Sequence, residues 1–401
     1  MKKTALATAG ILAIVIIIVS YYGSTYLMSA PSDNPTPTPT STPTETSTPT
    51  ANPTSTSNPT SEPTTNPSST ADPTSTANPT ASPTAEPSPT VTPPHNITYV
   101  DATGQSVTIT APLTRIASLN SGVTELICAL GAQDLLVGRS AGCMYPPSVQ
   151  SVQIIGDSSN SPNYELILQQ QPQLLIADTM ISSKTEVLQK IKAAGIPVII
   201  EQPGNFTRLP TFIAYLGDVA DNSSQATEIV NFMTYYVDLV HTRVATLSES
   251  QKPIVYFEMS MAWRSTPANS VREQYMIEAG GKNLNAGSSG TTVTPEFVAS
   301  GNPDIIIRMM SSVNFTESEF STVRNEIMSR SQISTTNAIK NSKVYVYDST
   351  IFTGLRYPIG LLYWAKWFNP TLFADIDPLT VHQQLNQKFY GLPLNGVYAY
   401  P

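Results

Sequence analysis

The chain has 401 residues, with 34 Pro, 2 Cys and 3 His, and carries 21 basic against 29 acidic side chains. Half of its prolines, 17, fall between Pro31 and Pro94, and beyond residue 95 there remain 19 basic and 24 acidic groups. That mild acidity argues against a nucleic-acid binder, which needs a basic face to displace counterions, two cysteines exclude a disulfide framework or four-thiolate zinc site, and three scattered histidines (His95, His241, His382) argue against a histidine-rich metal centre.

Met1-Lys2-Lys3 precedes an uncharged, largely apolar run from Ala5 to about Met28. Its length suits a membrane-spanning helix, and the leading lysines hold that end in the cytoplasm. Residues 1–30 therefore read as an uncleaved anchor or as a signal peptide cleaved near Ser29-Ala30; the run is long for a signal core, which favours the anchor. No cysteine follows it, which excludes a lipid-modified cysteine at that point.

Residues 31–95 repeat Asn-Pro-Thr, Thr-Pro-Thr and Ser-Pro-Thr with almost nothing apolar. Such a composition cannot bury enough surface to offset ordering entropy, and reads as an extended, O-glycosylated stalk. Proline stiffness gives it up to ~3 Å of reach per residue. Asn96, Asn205, Asn222 and Asn314 lie in Asn-X-Ser/Thr sequons, which suit an exported protein.

From Ile97 the texture changes to that of an α/β protein. Alternation over Ile97–Ile109 around Asp101-Ala102-Thr103-Gly104 predicts an opening hairpin. Short apolar runs at Arg115–Leu119, Leu174–Ala177 and Pro197–Ile200 have strand length, and helical patterns such as Lys184–Ala194 separate them. Strands alternating with helices imply βαβ units and parallel sheets.

Two halves then follow one order. Strand Arg115–Leu119 leads to a helix ending Ala129-Leu130-Gly131-Ala132; strand Ile254–Glu258 leads to one ending Glu278-Ala279-Gly280-Gly281. Glu165 is followed at seven residues by Pro172 and a strand, and Glu296 at the same distance by Pro303 and the strand Ile305–Ile307. Each half closes on a further helix and strand, Pro197–Ile200 in one and Lys343–Tyr347 in the other. Between the halves, Ile229, Phe232, Met233, Tyr236, Val240 and Val244 recur at helical spacing, predicting one long amphipathic helix over Asn222–Ser248 that braces two lobes.

The run Arg115-Ile116-Ala117-Ser118-Leu119, Thr124-Glu125-Leu126, Ala129-Leu130-Gly131-Ala132 and Leu136-Val137-Gly138 resembles the opening of the iron-complex/cobalamin class of periplasmic binding proteins. These are the solute receptors of ABC importers for iron-siderophore complexes, haem and vitamin B12. The ending Gly354-Leu355-Arg356, Gly360–Trp367, Pro370, Leu372-Phe373 and Asp377-Pro378 resembles archaeal members, and the resemblance spans 97–401. It implies two Rossmann-like lobes with central parallel sheets joined by a long rigid α-helix (the class III solute-binding arrangement). The expected domains are thus 96–221, 222–250 and 251–401, after the anchor and stalk. It also implies a non-enzymatic, monomeric receptor without a resident cofactor, whose ligand is an iron chelate or corrinoid held between the lobes. Its partner is the importer's permease, met through one glutamate per lobe; Glu165 and Glu296 occupy those positions. Paired carboxylates on rigid lobes suit an electrostatic latch, while helix capping is the plainer role for each, as in Thr294-Pro295-Glu296.

In open α/β sheets a ligand lies beyond the carboxyl ends of the strands. That points to Arg139, Arg264, Arg308 and Arg356 as partners for an anionic chelate, and to Tyr145, Trp263, Tyr275 and Phe352 for stacking on a flat ring system. Trp263-Arg264 is the leading pair, whereas Trp364 and Trp367 read as core. Cys128 reads as a buried hydrophobe, Cys143 as a cleft residue, with their pairing open, and His382 as a surface or capping residue. No nucleophile elbow, phosphate loop or His-Glu-X-X-His motif supports an enzyme. The remaining alternative is a stalked surface receptor or adhesion module uncoupled from any importer.

Overall fold

The computed structural model describes residues 92–311 and 315–401. The expected anchor over 1–30, nearly all of the proline-rich stretch and the Asn314 sequon lie outside them. Among the described residues no helix is long and apolar enough to cross a membrane.

The opening hairpin forms as expected, β1 (His95–Val100) pairing antiparallel with β2 (Ser106–Ala111). The first lobe then runs β3 (Ile116–Ser118), α1 (Ser121–Ala129), β4 (Leu136–Arg139), a small β5–β6 ribbon (Gly156–Ser158, Ser161–Pro162), α2 (Tyr164–Gln169), β7 (Leu174–Ala177), α3 (Thr185–Ala193), β8 (Val198–Ile200) and α4 (Leu209–Val219). The connecting helix α5 covers Ser223–Val244. The second lobe repeats the series as β9 (Ile254–Glu258), α6 (Val271–Glu278), β10 (Lys282–Asn283), α7 (Pro295–Gly301), β11 (Ile305–Met310), α8 (Glu317–Met328), α9 (Asn337–Lys340) and β12 (Val344–Asp348). It then adds α10 (Tyr357–Phe368), α11 (Pro378–Tyr390) and β13 (Ala399–Tyr400).

The duplication read from the residues is written in the topology. The first sheet is ordered β4-β3-β7-β8 and all parallel; the second is β10-β9-β11-β12-β13, parallel except for β13. Numbered within each lobe, both read second-first-third-fourth. The stops agree too: Gly131 and Gly280 follow α1 and α6 at φ +72° and +84°, a left-handed conformation glycine adopts without steric cost.

Leu174–Ala177 and Ile305–Ile307 are buried throughout, as parallel strands covered on both faces require. Alternate residues divide between two layers. Ile116, Leu174, Ile176 and Ile199 of the first sheet, and Val255, Phe257, Ile305 and Ile307 of the second, enter one continuous apolar core that runs through α4, α5 and α10. The opposite faces form separate cores, under α2 and α3 in the first lobe and under α7, α8 and α9 in the second.

Helix α5 is central to the shared core. Ala226, Ile229, Met233, Val237, Val240 and Val244 are buried at three- and four-residue spacing, the larger ones contributing about 1.5–3 kcal/mol each. Asn222 caps it: its Oδ1 accepts from Gln225 N, while its Nδ2 donates to Leu130 O at 2.7 Å, so both polar atoms of this sequon asparagine are engaged. Trp364 and Trp367 of α10 are core residues, as their spacing predicts.

Candidate functional site

A second-first-third strand order reverses its winding between the first and third strands, opening a crevice beyond their carboxyl ends. In the first lobe this falls between β3 and β7. Asn120, the N-cap of α1, accepts from Val123 N and donates through Nδ2 to Asp178 Oδ2 at 3.2 Å across the crevice. Asp178 Oδ1 in turn accepts from Met180 N at 2.9 Å.

In the second lobe the same crevice lies between β9 and β11, and a buried carboxylate sits at its base. Glu258, the last residue of β9, has no exposed surface. Its Oε1 accepts from Arg330 Nη1 (2.7 Å), Trp263 N (2.8 Å) and Tyr256 Oη (3.0 Å), while Oε2 accepts from Arg330 Nη2 (3.1 Å) and Arg308 Nη1. Burial, reinforced by Glu258, raises the Tyr256 phenol far above its ordinary value. Arg308 also donates to Ser260 O at 2.6 Å. The chain beyond Glu258 folds back so that Met259 N donates to Arg264 O at 2.6 Å, leaving Ser260, Met261 and Ala262 exposed at the tip. Trp263 closes this turn at φ +62°, with the Arg330 guanidinium 4.7 Å from its ring centroid.

The two rims meet. At Gly122 of α1 a Cβ would lie 3.0 Å from both Pro203 Cγ and Thr353 Cγ2, and at Gly354, φ +53°, one would lie 3.0 Å from Gly122 O. Tyr275 Oη donates to Gly204 O at 2.6 Å, and Phe206 stacks on Tyr357 at 5.0 Å. The segments following β3 and β8 in one lobe thus touch those following β12 in the other, so carboxyl strand ends of both sheets border one seam.

At that seam the structure redistributes the expected residues. Arg139 is buried and donates to the carbonyls of Ser140, Cys143 and Gln150 at 3.0–3.2 Å, so it fastens its own loop rather than facing a solute. Arg308 is likewise engaged on Glu258. Arg356 is buried and bonded to both oxygens of Glu125, at 2.5 and 2.7 Å, making a charge pair between the lobes. Burial lifts the Glu125 carboxyl above its ordinary value against the pull of Arg356; burial also opposes the Arg356 charge, but Glu125 prevails and the guanidinium stays protonated. Each of these three arginines thus has a partner within the protein that the sequence hides. Arg264 remains exposed, its Nη2 reaching Thr291 Oγ1 at 3.2 Å.

Among the aromatics, Tyr275 and Phe352 stack on each other at 4.8 Å, nearly parallel, inside the lobe junction instead of lining an open wall. Tyr145 is half-buried, edge-on to Tyr390 and 5.7 Å from the Arg356 guanidinium, with burial pushing its phenol up to about 12. Cys128 is buried as expected. Cys143 is buried too, not a cleft residue, its Sγ 3.1 Å from the hydroxyls of Thr124 and Ser140; both thiols are free. His382 lies inside α11's packed face, edge-on to Tyr398, and burial pushes its imidazole down to about 3.

Sequence reasoning missed Glu125, Glu258 and Arg330. Met144, Met180 and Met261, which follow β4, β7 and β9, are 44%, 50% and 62% exposed. A carboxylate ending the apolar strand Ile254–Glu258 was the visible signal for the Glu258 cluster.

Glu165 and Glu296 occupy equivalent places, in the first turns of α2 and α7, each leading into its lobe's third strand. Both are exposed, and neither forms an ion pair among the described residues. The side-chain capping is done by their neighbours: Asn163 accepts from Leu166 N and Thr294 from Phe297 N.

Residues 116–351 match the sequence profile of a family described as periplasmic binding protein. The uncharacterized ABC transporter substrate-binding lipoprotein YvrC of Bacillus subtilis is 25% identical over 286 residues, 70% of this chain and 87% of that one. A cobalamin-binding protein of Halobacterium salinarum is 23% identical over 222 residues, 54% of this chain and 59% of that protein. Among solved structures, the TroA-like periplasmic binding protein FepB of Veillonella parvula superposes with a TM-score of 0.67 at 22% identity, covering 76% of this chain and 99% of that one. With the profile extending from β3 to just past β12, across both lobes and the helix joining them, the chain belongs to the periplasmic binding protein family.

Proposed function

We propose that this chain is the extracytoplasmic solute-binding component of an ABC importer, and that its solute is a metal macrocycle of the corrinoid type, with a ferric chelate as the other candidate. The observation that carries this reading is the seam where carboxyl strand ends of two equivalently wound sheets border one another. The solute class follows from which side chains remain available there. Three of the four candidate arginines are held by the protein's own carboxylates or carbonyls, which disfavours a multiply anionic guest. Exposed Met144, Met180 and Met261, the indole of Trp263 and the ring of Tyr145 offer soft, adaptable apolar contact, with Arg264 as a single peripheral charge.

In this reading Glu165 and Glu296 dock on cationic side chains of the permease, one from each lobe. Their charge sets orientation and association rate more than solute affinity. The N-terminal segment holds the receptor at the outer face of the membrane. Function is capture and delivery, with no bond made or broken in the solute.

Titration of cyanocobalamin, haemin and a ferric trihydroxamate against the purified protein, followed by tryptophan fluorescence, tests the solute class. Micromolar or tighter binding of the corrinoid is expected; failure of all three would discard the macrocycle assignment. The double variant Glu165→Arg/Glu296→Arg is expected to abolish uptake by the cognate importer while leaving solute affinity within about twofold, as charges outside the binding seam should. Unchanged uptake would discard Glu165 and Glu296 as the docking pair, and an uncoupled surface receptor would support no uptake even in the wild type.

A further inference from the structure

Trp263 adopts a conformation its side chain disfavours. A bulky aromatic residue at φ +62° is rare, and such outliers persist only where the surroundings over-determine them, commonly at ligand sites. The surroundings here can be traced atom by atom. Trp263 N is fixed to Glu258 Oε1 at 2.8 Å, and its carbonyl accepts from Val293 N at 3.0 Å. Arg330 supplies the remaining constraint. Its Nε and Nη2 donate to Glu326 at 2.9 and 2.8 Å, and its Nη1 and Nη2 donate to Glu258 at 2.7 and 3.1 Å. With its in-plane donors gripped by two carboxylates, the guanidinium cannot rotate. What it offers Trp263, 4.7 Å away, is positive charge beside the indole.

We propose that Arg330, locked by Glu258 and Glu326, is a positioning residue that holds the Trp263 indole as a pre-set platform for the solute at the β9–β11 crevice. This rests on the solute-binding reading above and adds to it the device that fixes the contact ring before the guest arrives. Arg330 touches no solute; it acts through the indole. A ring already immobilised loses no rotamer freedom on binding, which is how preorganisation strengthens affinity. Lysine at this position would keep the charge but lose the planar, multiply gripped geometry.

The test compares Arg330→Lys in the wild-type and Trp263→Leu backgrounds, using full-length protein and cyanocobalamin, haemin and a ferric trihydroxamate as probes. Trp364 and Trp367 are buried, so acrylamide quenching in the solute-free protein reports chiefly on Trp263, and Trp263→Leu supplies the baseline. Arg330→Lys should raise quenching of Trp263 and weaken binding of the recognised probe by up to roughly tenfold, the cost of ordering one side chain on binding. In the Trp263→Leu background the same change should leave affinity unaltered. Wild-type quenching and affinity in Arg330→Lys would overturn the proposal, and so would an equal loss of affinity in both backgrounds, because that loss would arise from the fold. If the wild type binds none of the probes, the macrocycle reading fails by itself; the quenching comparison then decides whether Arg330 immobilises the ring.

Discussion

Removing Arg356 alone isolates the buried charge pair between the lobes. In Arg356→Met the Glu125 carboxyl keeps its burial, at 4% exposure, and loses the guanidinium that accepted its charge at 2.5 and 2.7 Å. At pH 7 it must either remain an unpaired buried anion or take up a proton. Protonating a glutamate of ordinary pKa at pH 7 costs about 3.7 kcal/mol, from roughly 1.4 kcal/mol per pH unit. That limit agrees with the ~3–5 kcal/mol that follows breaking a buried pair from one side. The sign with pH is definite. In the variant the folded-state pKa lies above the unfolded value, so the deficit is absent below about pH 4 and grows as pH rises toward 7. Urea unfolding of variant and wild type at pH 4.5 and pH 7 measures it, both in the His382→Phe background because Arg356 also bears on that imidazole, with differences within each pH cancelling the groups remote from Arg356. We expect a loss of up to about 3–4 kcal/mol at pH 7, less the part of that cost the raised Glu125 carboxyl of the wild type already carries, shrinking below ~1 kcal/mol at pH 4.5. The double variant Glu125→Leu/Arg356→Met should recover most of the loss. A deficit under 1 kcal/mol at pH 7, or one equal at both pH values, would refute the assignment of Glu125 as an ionised group dependent on Arg356.

Two further outcomes follow from the packing. His382 is held neutral in the fold, its pKa pushed down to about 3 by burial with Arg356 nearby, so the unfolded chain binds the extra proton between that value and the ordinary histidine range. Stability from this residue is complete above about pH 6.5 and falls with acidification; at pH 4.5 the loss is about 2–3 kcal/mol, and His382→Phe should remove that part of the acid sensitivity in urea titrations. Gly122→Val should cost about 1–3 kcal/mol in thermal or urea unfolding, since even its Cβ would press on Pro203 of its own lobe and on Thr353 across the seam; a neutral result would show that the rims separate readily.

The architecture was legible because duplication leaves marks that burial cannot hide. Equal spacing of Glu165 to Pro172 and Glu296 to Pro303, and helices stopped at Gly131 and Gly280, survive as equivalent helices and strands in two sheets wound alike. The connecting helix was legible from its apolar period. Side-chain partnership was not, because it depends on residues far apart in the chain: Glu125 meets Arg356 across 231 positions, and Glu258 meets Arg330 across 72. An arginine looks the same in sequence whether it faces solvent or a buried carboxylate. His382 misled for a related reason. It belongs to the spacing Val381, His382, Leu385, Asn386 and Phe389, where polar residues share the inward face of α11 with apolar ones, and polarity alone placed it outside.

The apolar core that passes without interruption from one sheet through α5 and α10 to the other has a bearing on how occupancy is signalled. Lobes fused along such a spine do not work as jaws, since swinging them apart would expose hydrocarbon to water. The permease, under the docking assignment, would instead read a gauge: two carboxylates at a span set by the spine, altered by small adjustments when a guest wedges into the rims.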